Sequence, residues 1–255
     1  MKEREFPILE YDEDRNAFIR PENIIKPVEI TEKCVLCFFS EAIVKILSEY
    51  PHRIAAHFKA ESLSYPLYEL DYKGQKIALI QAGVGAPIGA AQIEELTACG
   101  CKKYIAAGSC GVLEKDIALG HLIIPISAVR DEGTSYHYAK PSREIEADPR
   151  VVQIIENTLT EQKVPYIKAK TWTTDAFYRE TPGKIKQRKS EGCVTVEMEA
   201  SAYIAAARYN NVDFGQILYG GDNLGGEVWD SRRYDTRTEI REFVLRLALD
   251  ACLGL

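Results

Sequence analysis

What this sequence lacks narrows its class before any motif does. None of its 255 residues form a run near the ~18 apolar residues of a membrane span. The opening MKEREFPILEYDEDRN is polar and acidic, with no apolar signal core. A cytoplasmic protein without a membrane partner is therefore expected. No basic patch stands out. Acidic residues number 38 against 32 basic, the net charge is −6 and the pI is near 5.4, so no nucleic-acid partner is expected. Lys184, Lys186, Arg188 and Lys189 do cluster, but Glu180 and Glu191 flank them, and the group reads as a solvated helix face. No glycine cluster has the spacing of a dinucleotide or nucleoside-triphosphate loop. Internal repeats, low-complexity tracts and polar linkers are missing too.

Seven cysteines, an odd number without a secretion signal, do not form a disulfide framework. Cys34-x-x-Cys37 and Cys99-x-Cys101 have spacings that suggest zinc. However, Cys34 and Cys37 lie in the apolar run CVLCFF, a strand in which residues three apart face opposite sides. Buried structural thiols are expected, and no metal.

Short apolar runs and amphipathic stretches alternate along the chain. After an irregular arm over residues 1–30 with three prolines, strands are expected at 34–39, 67–72, 75–81, 104–107, 121–125, 127–130, 167–172, 194–196 and 214–219. Helices are expected at 41–49, 87–99, 149–162, 182–191, 200–209 and 239–253. This alternation predicts an α/β fold, a single domain over 31–255 with a central mixed β-sheet flanked by helices. In such sheets ligands bind beyond the carboxyl ends of strands. Three glycine pairs are expected in loops there: Gly83-Val-Gly85, Gly108-Ser-Cys-Gly111 and Gly220-Gly221.

The segment Glu197-Met198-Glu199 stands between an apolar strand and the helix ASAYIAAA. Two carboxylates at a strand end repel each other unless a polar partner, such as a sugar diol, compensates their burial. An acidic first helical turn, favoured by the helix dipole, accounts for the same residues equally well.

VEMEA, Gly108-Ser-Cys-Gly111, Asp131-Glu-Gly-Thr-Ser-Tyr-His-Tyr138 and Thr173-Thr-Asp-Ala-Phe177 occur in an order that resembles the nucleoside phosphorylase/nucleosidase family. The similar branch is that of uridine phosphorylase, hexameric purine nucleoside phosphorylase and methylthioadenosine nucleosidase. The resemblance runs from about residue 30 to the last helix. It implies that Glu199 binds the ribose 2′- and 3′-hydroxyls, Met198 packs on the sugar, Glu197 lines the base side and Phe177 stacks on the base. It also implies that Asp222 protonates the leaving base, which favours a purine. A turn role for Asp222 before Asn223 and Gly225 is the structural alternative. His137 is a contact to substrate or a subunit interface in the resemblance, and a structural histidine otherwise.

The acceptor side departs from the pattern. Gly108 and Ser109 match a phosphate loop, but Ala106 stands where an arginine is expected, and Phe39-Ser-Glu-Ala-Ile43 replaces a glycine–arginine loop. An arginine that a neighbouring subunit would supply falls near Glu61. Either phosphate is held differently, by Lys59, Arg53 or His57 with backbone amides, or water attacks with Glu41 as its activator. The uracil-binding pair is replaced by Thr181 and Gly183, with Arg179 and Gln187 nearby. Three functions follow as expectations: phosphorolysis of a nucleoside, hydrolysis, or nucleoside binding without catalysis. No organic cofactor is implied beyond phosphate as a co-substrate, and a homo-oligomer, dimer or hexamer, is implied.

Overall fold

The computed structural model describes residues 3–59 and 64–255; Glu61, the position matched to a neighbour's arginine, lies outside them. In chain order the elements are α1 (Pro21–Ile24), β1 (Lys33–Cys37), α2 (Ser40–Glu49), β2 (His52–Lys59), β3 (Ser64–Tyr72), β4 (Gln75–Gln81), α3 (Ala86–Cys99), β5 (Lys103–Val112), β6 (Leu122–Asp131), α4 (Ser135–Tyr138), β7 (Glu144–Glu146), α5 (Pro149–Glu161), β8 (Tyr166–Thr174), α6 (Pro182–Ser190), β9 (Cys193–Glu197), α7 (Ala200–Asn210), β10 (Asp213–Asn223) and α8 (Thr238–Leu253).

One mixed sheet has the order β10-β6-β8-β9-β5-β1-β4-β3-β2. Strand β10 also pairs with β5, so five strands close into a ring and β1, β4, β3 and β2 extend from it. Strands β1 and β5 bury most of their residues, as strands covered on both faces do. Helices α2, α5 and α8 cover one face, and α3 and α7 the other. Helix α7 is buried along Ala200–Ala207 because it lies inside this second layer, and its small residues let it pack closely there. The β3–β4 turn is made by Lys73 and Gly74, both at positive φ, as a two-residue hairpin with right-handed strand twist needs. All seven cysteines are buried with free thiols.

Some local expectations change. The two extended segments at 121–130 are the single strand β6, with a register shift between Pro125 and Ser127. Strand β2, which the periodicity did not reveal, is largely exposed at the sheet edge, so no buried face marks it. Gly108-Ser-Cys-Gly111 and Gly220-Gly221 are not loops, since β5 and β10 continue through them. The glycines serve close packing instead: a Cβ at Gly111 would lie 2.6 Å from Leu224 Cδ1 and 3.0 Å from Val196 Cγ1. The basic cluster on α6 is not wholly solvated either. Arg188 is buried, and its guanidinium and Lys184 both pair with Asp131 at 3.0 Å.

Candidate functional site

At the end of β9 the chain turns through half-buried Met198 into α7, with Glu199 at the N-cap. The first amides of a helix lack internal acceptors. Glu197 satisfies two of them: its Oε2 accepts the N–H of Glu199 (2.7 Å) and of Ala200 (2.6 Å). Its Oε1 accepts the Thr173 hydroxyl at 2.7 Å, and Thr173 in turn accepts the Ser201 amide at 3.0 Å. The helix-terminus account of Glu197 is therefore the one realised in its own contacts. Glu199 points elsewhere. Its Oε1 accepts the Gly85 amide at 2.6 Å, so it ties the loop after β4 to the β9–α7 corner. Gly85 has φ +103°, a conformation that a side chain would strain.

Both glutamates are buried, at 7% and 5% exposure. Burial raises Glu199's pKa, the charge of Glu197 raises it further, and the amides of Gly85 and Met198 oppose this. Burial raises Glu197 as well, against its three donors. Glu132, also buried, accepts the Ser135 hydroxyl and amide and the Ser201 hydroxyl, which explains the DEGTS motif as a brace between β6 and α7. His137, two residues on, is exposed on α4.

Asp222 lies near the end of β10, across Gly111 from this corner. Gly111 pairs in register with Val196, and a Cβ built on it would lie 3.4 Å from Asp222 Oδ1. The other carboxylate oxygen, Oδ2, accepts the Trp229 indole N–H at 2.7 Å. Beside Asp222 is Glu180, whose pKa is pushed up to about 7 by burial and then by Asp222's charge. Phe177, Tyr178 and Arg179, on the turn just before it, are exposed, and the two rings lie 4.0 Å apart between centroids.

The third corner follows β1. Glu41, in the first turn of α2, pairs with Arg241 of α8 at 2.8 Å. Arg241 also donates through Nε to the Tyr219 hydroxyl (3.2 Å) and sits 5.1 Å above the Phe39 ring. Tyr219 is in register with Ser109 on β5, and the Ser109 side chain lies beside its hydroxyl. Partial burial pushes Glu41's pKa upward, but the hydrogen bonds and charge of Arg241 outweigh this and hold it below the usual glutamate range. Ala106 is fully buried, packed in the layer with Leu36 and Ala205.

Arg53, His57 and Lys59 do not reach this corner within the chain. They lie on β2, three strands from β1, about 14 Å at the usual ~4.8 Å strand spacing. Arg53 is also occupied by Glu69 (2.8 Å). Gln187 donates to Glu191, on the exposed side of α6, at 3.4 Å. Residue-level reading missed Arg241, Trp229 and Glu180. Arg241 meets Glu41 across 200 positions of sequence, so no local spacing could announce it.

A sequence profile described as the phosphorylase superfamily matches residues 33–253. Guanosine phosphorylase of Halorubrum lacusprofundi is 24% identical over 202 residues, 77% of this chain and 83% of that protein. The solved uridine phosphorylase of Vibrio fischeri superposes with a TM-score of 0.74 at 24% identity, covering 92% of this chain and 95% of that one. The AMP nucleosidase of Bacteroides thetaiotaomicron superposes with a TM-score of 0.70 at 22% identity, covering 87% of each chain.

Proposed function

The chain belongs to the phosphorylase superfamily, and from that premise we propose that it cleaves the N-glycosidic bond of a nucleoside, a purine nucleoside by preference, with phosphate as acceptor. The observation that carries this reading is the position of Gly111, with the Glu197–Glu199 corner on one side and Asp222 on the other. A ribose at the first and a base at the second span one nucleoside.

In this reading Glu199 accepts hydrogen bonds from the ribose 2′- and 3′-hydroxyls, Met198 packs on the sugar, and Phe177 covers the base. The C1′–N bond lengthens and its electron pair goes to the base. The buried carboxylates stabilise the positive charge left on the sugar. Asp222 gives its proton to the base nitrogen and neutralises it. A phosphate oxygen then forms the new bond at C1′, and ribose 1-phosphate results.

Phosphate is favoured over water by the state of Glu41. A carboxylate held ionised by a guanidinium is a weak base, so Glu41 is poorly suited to take a proton from water. The same guanidinium brings positive charge next to Ser109, where an oxyanion needs it. Hydrolysis is the second reading, and Ala106 favours it, because β5 brings no arginine to the acceptor. Binding without catalysis leaves the pairing of Glu199 with Asp222 without a purpose. A homo-oligomer is part of the proposal, since Phe177, Tyr178 and His137 are exposed at or near the site. Among the described residues no helix is long and apolar enough to cross a membrane.

The test is release of free base from inosine, adenosine, uridine and methylthioadenosine, with and without phosphate. Phosphate-dependent release from the purine nucleosides is expected. Equal release without phosphate would replace this reading with hydrolysis, and binding without release would replace it with a silent nucleoside binder.

A further inference from the structure

We infer that Trp229 is a positioning residue for Asp222: its indole N–H fixes the carboxyl group so that the opposite oxygen faces the base. The inference rests on the reading of Asp222 as the acid that protonates the leaving group.

Trp229 is held firmly. Asn223 and Asp230 exchange both backbone hydrogen bonds (2.8 and 3.0 Å) and close the intervening residues into a narrow loop. The Leu224 amide bonds the Val112 carbonyl at 2.8 Å, and the Gly225 amide bonds the Asn223 side chain at 2.8 Å. A Cβ on Gly225 would lie 2.5 Å from the Leu113 carbonyl oxygen, so the loop is pressed against the end of β5. This pinned loop keeps a tryptophan 64% exposed while turning its one polar atom inward to Asp222 Oδ2 at 2.7 Å. Packing does not account for so exposed an indole; the hydrogen bond does.

An indole N–H donates and cannot accept. Trp229 therefore cannot carry the proton, and Asp222 Oδ1, on the Gly111 side, is left to do so. Once that proton passes to the base, Asp222 becomes an anion. It then faces Glu180 from the turn after β8, Tyr234 from the following segment and Cys110 from β5. With a second carboxyl so near, a donor that strengthens as charge develops favours the transfer. The indole supplies it, already aligned.

Trp229→Phe keeps the ring and removes the donor, and Trp229→His keeps a donor on a smaller ring. With the purine nucleoside that the wild type cleaves best, Trp229→Phe is expected to lower kcat about 10- to 100-fold, the worth of one hydrogen bond to a charged group. Its nucleoside KM should stay within about 3-fold, as befits an interaction made mainly in the transition state. Trp229→His should recover part of the loss. An unchanged or raised kcat in Trp229→Phe, or a loss confined to KM, overturns the inference while the wild type still releases base. If the wild type releases base from no nucleoside, the phosphorylase reading itself falls, and this inference with it.

Discussion

The sugar corner and the acceptor corner both hold glutamates at the ends of strands, and they treat them in opposite ways. At the sugar corner, Glu197 is buried under three donors from its own chain, and Glu199 is buried beside it against the Gly85 amide. Among the described residues neither pairs with a cation; backbone amides and a hydroxyl donate to them instead. At the acceptor corner, Glu41 is half-buried and pairs with a cation, Arg241. The first corner is a desolvated pair of carboxyl groups that hold their protons more tightly than free glutamates do. The second is neutral until something separates the pair. In the proposed reaction an arriving phosphate takes Glu41's place on Arg241, a role that a neutral water does not fill.

If the contrast is sound, the largest effect comes from the sugar corner. Glu199→Gln keeps the shape and an acceptor for the Gly85 amide but removes the titratable carboxyl group. Base release is expected to fall about 10²- to 10³-fold, the range for losing one transition-state partner, with cooperative thermal unfolding preserved. Near-native turnover in a folded Glu199→Gln protein would remove this residue from the chemistry and leave it as a tie between two loops.

A smaller effect, on a different quantity, is expected at the acceptor corner. Arg241→Gln should raise the phosphate KM about 10- to 100-fold, as loss of a charge-assisted contact of 1.5–3 kcal/mol implies. The nucleoside KM should change little, because α8 lies across the sheet from the β9–α7 corner. A phosphate KM unmoved by Arg241→Gln would mean that the Glu41–Arg241 pair only fastens α2 to α8, and the contrast between the corners would then be one of folding rather than of function.

The same contrast explains how far the sequence could be read. The alternation of apolar runs placed β1, β4, β8, β9 and α5 within a few residues, because each buries a continuous apolar face. VEMEA marked the β9–α7 corner because its two glutamates lie close together in sequence, whereas their partners Thr173 and Gly85 came only with the fold. Ring closure was not legible: β10 pairs with both β5 and β6, and the glycines at 111 and 220 inside β5 and β10, which pack closely against their neighbours, look like turn residues in sequence. The Glu41–Arg241 pair and the Trp229–Asp222 bond were hidden for a related reason. The first joins opposite ends of the chain, and the second depends on which way one exposed indole turns. Arginines absent at Ala106 and in the 39–43 segment could be read directly, whereas the placement of Arg241 on α8 beside Glu41 needed the fold.

The smallest effect is on stability, and it separates the corners by pH. Burial and the charge of Glu197 raise the pKa of Glu199 above the ordinary value of 4.5. From about pH 4.5 upward the unfolded chain therefore gives up a proton that the folded chain retains. A raised carboxyl contributes stability below its unfolded value, and that contribution is lost as pH rises through the folded one. Glu41 behaves in the reverse sense: its lowered pKa contributes stability above the unfolded value, lost as pH falls through the folded one. Glu199→Gln removes only the first of these. Its melting temperature relative to the wild type should therefore climb by roughly a few degrees between pH 5 and pH 8. Glu41→Gln should show the opposite trend, weaker because its carboxylate is partly solvated, with its relative melting temperature highest below pH 4.5. Parallel pH curves for Glu199→Gln and the wild type would mean that Glu199 titrates as freely as a surface residue, and the raised pKa that separates the sugar corner from the acceptor corner would be lost.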